Sequence, residues 1–131
     1  MGYNKRNKKK ERFVGIPYGI ASSKEFINLS FKARVLLIDL LHQYHGRNNG
    51  SQSPCWTLMK KRGWKSSSTL YNAFKELKEA GFVIITRQGM KIRGRATLCA
   101  ITWYGIDDAK VTYDDGIKVS DTPLHLWRKS K

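Results

Sequence analysis

The side chains best suited to chemistry lie between residues 60 and 95, and they are hydrogen-bonding groups and cations, not nucleophiles or metal ligands. Ser67, Ser68, Tyr71, Asn72 and Lys75 recur on one side of a helical repeat. An Asn amide can read adenine in bidentate fashion, whereas hydroxyls and Lys are less selective. Lys60, Lys61, Arg62 and Lys65 precede them, and Arg87, Lys91, Arg93 and Arg95 follow. Cations grouped in this way contact phosphates and fix the register of a bound duplex.

Spacings for other chemistry are missing. The sequence has no GxxxxGK[ST] phosphate loop, no GxSxG elbow and no HExxH. Asp107, Asp108, Asp114, Asp115 and Asp121 are scattered and have no EF-hand spacing. His42 and His45 have the spacing of two ligands on one helix face, but no third ligand is near, so they read as surface or hinge histidines. Cys55 and Cys99 lack any CxxC or Cys-His partner and read as buried free thiols in a reducing cytosol. The expectation is a protein that is not an enzyme and uses no cofactor and no metal.

A helix over 66–80 must position the first group. Ser66, Ser67 and Ser68 offer N-caps, and Leu70, Ala73, Phe74 and Leu77 make one apolar stripe. Gly81 suits a left-handed C-cap. The polar face is free of acid in its N-terminal half, because Glu76 and Glu79 lie in the last turns. Upstream, Thr57 can cap a short helix LMKKR that ends at Gly63, leaving a tight turn before the next cap. Downstream, Phe82 to Arg87 reads as a strand, residues 88–94 as a basic turn with two glycines, and Arg95 to Tyr104 as a second strand.

Helix, turn, helix, strand, basic loop, strand is the order of a winged helix. In "SSSTLYNAFKELKEAGFVIITRQG", a Ser/Thr-rich helix start, an "L..AF.EL.EAGFV" body and a strand ending in Arg follow one another. Over roughly residues 30–104 the chain resembles the winged-helix DNA-binding domains of bacterial and phage regulators and of plasmid or phage replication proteins. The resemblance implies an α+β fold: a three-helix helix-turn-helix core and a two- to three-stranded antiparallel wing. It also implies double-stranded DNA as partner, with helix 66–80 in the major groove and residues 87–95 as the wing. A transcriptional regulator of a bacterium or mobile element and a replication initiator both suit it, and the short chain favours the regulator. An RNA binder or a protein-interaction adaptor, with Tyr71 and helix 30–45 as its surface, is the alternative class.

Charge agrees with a polyanionic partner. The 131 residues carry 25 bases and 10 acids, a net +15. Residues 1–12 hold six bases and one acid, residues 13–104 fourteen and four, and residues 105–131 five of each. The excess therefore sits on a flexible basic arm (1–12) and on the winged-helix domain (13–104), not on the irregular C-terminal extension (105–131). No apolar run reaches the about 18–20 residues of a membrane span, and the start is too hydrophilic for a secretory signal. A cytoplasmic protein, associated with the bacterial nucleoid when on DNA, is expected.

The remaining segments frame this unit. FVGIPYGI (13–20) reads as an extended stretch with Phe13, Ile16, Tyr18 and Ile20 as packing points. Ser22 to Glu25 looks like a capping box before a short helical turn. Ser30 caps a helix over 30–45, with Ala33, Leu36, Leu37, Leu40, Leu41 and Tyr44 as its stripe and Gly46 at its end. Phe31, Val35 and Ile38 are apolar on the other side, so this helix needs cover on more than one face. Either FVGIPYGI, the C-terminal tail or a two-fold homodimer through helix 30–45 would supply it. Residues 47–51 read as a loop, 52–56 as a short first strand, and 111–113 as a strand before a turn at Asp114-Asp115-Gly116. Pro123, Leu124, Leu126 and Trp127 are expected to dock on the domain or a partner.

Overall fold

A computed structural model of the chain describes residues 11–90 and 94–128. Most of the arm, together with Lys91 and Arg93, thus lies outside the described residues. The fold is α+β: five α-helices and a two-stranded antiparallel sheet among the described residues, in an order compatible with a winged helix.

Two helices carry the core. α3 (Phe31–His42) is capped by Ser30, whose hydroxyl accepts from the Ala33 amide. α5 (Ser67–Ala80) is capped by Ser66 through the Thr69 amide and ends at Gly81, which has the left-handed φ of 86°. Leu36, Leu37 and Leu40 of α3 are fully buried and meet Leu70, Ala73, Phe74 and Leu77 of α5 in one cluster with Met59, Trp64, Phe82, Ile101, Trp103 and Trp127. Each fully buried leucine is worth about 1.5–3 kcal/mol of transfer free energy. A tertiary cap joins the pair. Glu76 of α5 accepts from the Ser30 amide (2.7 Å) and the Ser30 hydroxyl (2.7 Å), so the carboxylate sits at the positive N-terminal end of α3.

The smaller helices depart from the sequence-based expectations by short steps. α1 (Tyr18–Ala21) forms where an extended segment was expected; Pro17 stands at its N-cap, and the Pro17 carbonyl accepts from the Ile20 and Ala21 amides. Ile20 is buried, but Phe13 and Tyr18 are 87% and 88% exposed and are not packing points. α2 (Lys24–Ile27) is capped by Ser23 through the Phe26 amide, so the Ser22–Glu25 capping box does not form. α4 (Trp56–Met59) starts at Trp56 after Cys55, not at a Thr57 cap, and tightens into a 3-10 turn over Lys60–Arg62. Gly63 closes that turn at φ 100°.

α3 stops at His42, three residues short of the expected end. The Gln43 carbonyl takes the Asn48 side-chain amide, and the Gln43 side chain pairs with both backbone groups of Ser53. These bonds satisfy the helix end and hold residues 43–53 as a compact loop. They also explain why no strand forms over 52–56: Ser53 is already paired, Pro54 lacks a donor, and only a Gln52–Cys99 bridge remains.

The sheet pairs β1 (Val83–Arg87) with β2 (Leu98–Ile101), and the hairpin reaches on to a Met90–Arg95 bridge. The register shifts between Ile85 and Arg87. Thr86 falls at this irregularity, where its hydroxyl donates to the Gly50 carbonyl and its own carbonyl accepts from the Asp114 amide. The expected strand over 111–113 is absent. Tyr113 instead donates its hydroxyl to the Asp107 carbonyl and fills the space beside Gly50, where any Cβ would collide with it. The turn at Asp115-Gly116 forms as expected.

The C-terminal segment docks on the domain. Trp127 stacks on Phe82 at 6.0 Å between ring centroids, and the His125 amide donates to the Thr102 carbonyl. Gly81 is required here twice over, for its positive φ and because the Leu126 carbonyl lies where its Cβ would be. No helix among the described residues is long and apolar enough to cross a membrane.

Candidate nucleic-acid interface

α5 divides cleanly. Its buried side faces α3, while Ser67, Ser68, Tyr71, Asn72 and Lys75 are all exposed on the other side, Tyr71 by 65%. None of its first-turn residues is acidic. Ser68 and Ser66 share a hydrogen bond of 3.0 Å between hydroxyls, leaving Ser67, Tyr71, Asn72 and Lys75 along the open face. Of the two acids, Glu76 is turned onto Ser30 and so adds little negative field to this face.

The turn before α5 is held from beneath by Asp39. This buried carboxylate of α3 accepts from Trp64 Nε1 at 2.8 Å and from Arg62 Nε at 3.1 Å. Trp64 thereby anchors the segment between Gly63 and Ser66 to the core, and Arg62 is ion-paired, not a free cation. Lys60, Lys61 and Lys65 remain exposed around it. Nothing in the sequence flagged Asp39 as a partner: it stands inside an apolar stripe, at a helical position read only for its hydrophobic neighbours.

Among the described residues, one of the two cations expected from the hairpin is open to solvent. Arg95 is exposed. Arg87 is not: it is half-buried, and its Nη2 donates to the Ala96 carbonyl at 3.0 Å, which ties the guanidinium across the hairpin. Arg87 thereby braces the hairpin and is withdrawn from the expected contact set. Lys91 and Arg93 lie outside the described residues.

The loop over 47–51 forms as expected, with a turn at Asn49-Gly50, and it holds a polar side chain with four strong hydrogen bonds. Asn49 is fully buried. Its amide donates to the Ile101 and Gly105 carbonyls, and its oxygen accepts from the Ile101 amide and from Gln52 Nε2. Gln52, also fully buried, accepts from the Gly50 amide. The only sequence signal for this plug is a pair of adjacent asparagines, which signals a turn equally well.

Other candidates give no site. His42 is on α3, but His45 lies beyond the helix end, so the two do not share a helix face. No group of three or more His, Cys, Asp or Glu side chains among the described residues could hold a metal ion. Cys99 is fully buried, and burial pushes its thiol far above its ordinary range. Cys55 is half-buried, not buried as expected. Tyr44 and Tyr104 stack at 4.5 Å, and burial followed by the nearby Asp107 charge raises the Tyr44 hydroxyl above its usual value. No protein-family model, curated protein or solved structure matches the chain.

Proposed function

We propose that the chain is a winged-helix protein that binds double-stranded DNA, with α5 entering the major groove N-terminus first. Ser67, Ser68, Tyr71, Asn72 and Lys75 would face base edges and adjacent phosphates, with Asn72 as the principal reader of sequence. Lys60, Lys61 and Lys65 would hold phosphates beside the turn, and Arg95, with Lys91 and Arg93, would do so from the wing. The biological role we assign is transcriptional regulation, and the reading includes no catalytic step.

One observation carries the proposal: the exposed face of α5 is polar and free of acid through its N-terminal half and carries Lys75 beyond it, while its other face is fixed to α3 by a full apolar stripe and the Glu76 cap. A helix so held cannot turn its polar face inward. The net +15 supports the same partner.

The test compares equilibrium binding to duplex DNA and to duplex RNA of matching sequence at about 0.1 M salt. A-form RNA has a major groove too narrow for a helix, so DNA should bind more tightly. Equal affinity for both, or none for either, would overturn the assignment.

A further inference from the structure

A cleft of about 280 Å³ opens between α1 and the docked tail, with apolar walls from Pro17, Ile20, Trp103 and Trp127. Ile20, Trp103 and Trp127 are buried members of the core cluster, so these walls are held from behind. Gly19 lines the cleft as well, and a Cβ there would meet nothing within 4 Å. The α1 side is thus left open by a residue without a side chain.

The polar groups at the cleft are few and of one kind. His125 and Arg128 line it, and no acid does. The Arg128 guanidinium lies 5.3 Å over the Trp127 ring and has no ion pair among the described residues. His125 Nδ1 accepts from Trp127 Nε1 at 3.1 Å, which leaves the proton of the neutral ring on Nε2 as a second donor. Ligand sites have this composition: a concave apolar surface with a small number of placed polar groups. An apolar cavity of about 150 Å³ already takes a benzene ring, so the cleft has room for a ring and a carboxylate on a short arm. A guanidinium pairs with a carboxylate through parallel N–H groups, and indole walls suit a flat ring.

We propose that this cleft binds a small aromatic carboxylate, its ring against Trp103 and Trp127 and its carboxylate on Arg128 and His125 Nε2–H. The lining residues themselves set the charge of the occupant. An amine or a metal cation would meet Arg128 and find no acid, and a neutral ring would leave the guanidinium unused. None of the lining residues belongs to α5 or to the hairpin, so the site does not depend on the DNA-binding assignment.

Phenylacetate is the probe, titrated into the isotope-labelled full-length chain at constant salt and about pH 7.5, where the imidazole is neutral. Trp103 Nε1 has no acceptor among the described residues, so a charge brought into the cleft should move its signal. The indole N–H signals of Trp103 and Trp127 and the Gly19 amide should shift and saturate with a Kd of about 0.1–10 mM, the range open to about ten non-hydrogen atoms. Trp64 Nε1–H, held by Asp39, should stay in place. Phenylacetamide keeps the ring without the charge and acetate the charge without the ring, and each should bind at least about tenfold more weakly. Arg128→Gln, at an exposed position, should weaken phenylacetate about tenfold, with an unmoved Trp64 signal reporting an intact fold. No saturating shifts at Trp103 and Trp127 by about 50 mM, or shifts at Trp64 as large as theirs, would overturn the proposal. So would phenylacetamide or acetate binding as tightly as phenylacetate, or an unchanged affinity in Arg128→Gln.

Discussion

If α5 enters DNA as proposed, Asn72 and Arg95 should make two different kinds of contact. Asn72 is exposed and outside the packed stripe, so Asn72→Ala should leave folding intact within about 0.5 kcal/mol. On the preferred duplex the same change should cost about 1–3 kcal/mol, with little effect on random DNA. Arg95→Ala should weaken preferred and random duplexes alike and make the salt slope shallower by about one unit. Titrating both variants against both DNAs checks this, and equal losses for Asn72→Ala on the two would remove α5 as the base reader. Asp39 is a third case. Asp39→Ala leaves Trp64 Nε1 without its acceptor and frees Arg62, so it should cost about 1–3 kcal/mol in urea unfolding. A smaller loss would mean that the turn before α5 does not need this anchor.

At the scale of elements, the tail is part of the core. Trp127 is 8% exposed and covers Phe82, so Trp127→Ala should cost about 3–5 kcal/mol, read as a lower urea midpoint. The same segment introduces a pH dependence. Burial, and then the Arg128 charge, hold His125 below its ordinary value, and its Nδ1 accepts from Trp127 Nε1 at 3.1 Å. Protonation removes that acceptor and is harder in the folded chain than in the unfolded one. The contribution is therefore complete above the ordinary imidazole pKa of about 6.5 and is lost as pH falls through the lower folded value. The urea midpoint should drop between pH 7 and pH 5. His125→Asn should flatten that drop, because Asn tolerates the left-handed φ of 46° and cannot take the proton. An unchanged pH profile in this variant would assign the drop to other groups.

For the whole molecule, the charge excess makes a quantitative demand. If about six to eight bases meet phosphates, log K should fall against log salt concentration with a slope of about −5 to −7. Filter-binding or anisotropy titrations across salt read it directly, and a slope flatter than about −2 would show that the excess is not an interface. By itself the sequence determined the elements whose evidence is local. Ser30, Ser66 and Gly81 cap where their types predict, and the stripes of α3 and α5 are buried where their periodicity puts them, except Tyr44, which lies beyond the end of α3 and is half-buried. Charge placement was equally legible, because it needs only counting. What the tertiary structure decided depends on partners distant in the chain. Asn49 is a buried plug because Ile101 and Gly105 bring carbonyls to it, 52 and 56 positions away. Asp39 became an anchor through Trp64, Glu76 a cap through Ser30, and Arg87 a brace through Ala96. A polar side chain can be satisfied by water, backbone or another side chain, and its sequence neighbours do not say which. Only the packing that excludes water settles that choice, and with it which side chains are left to meet a partner.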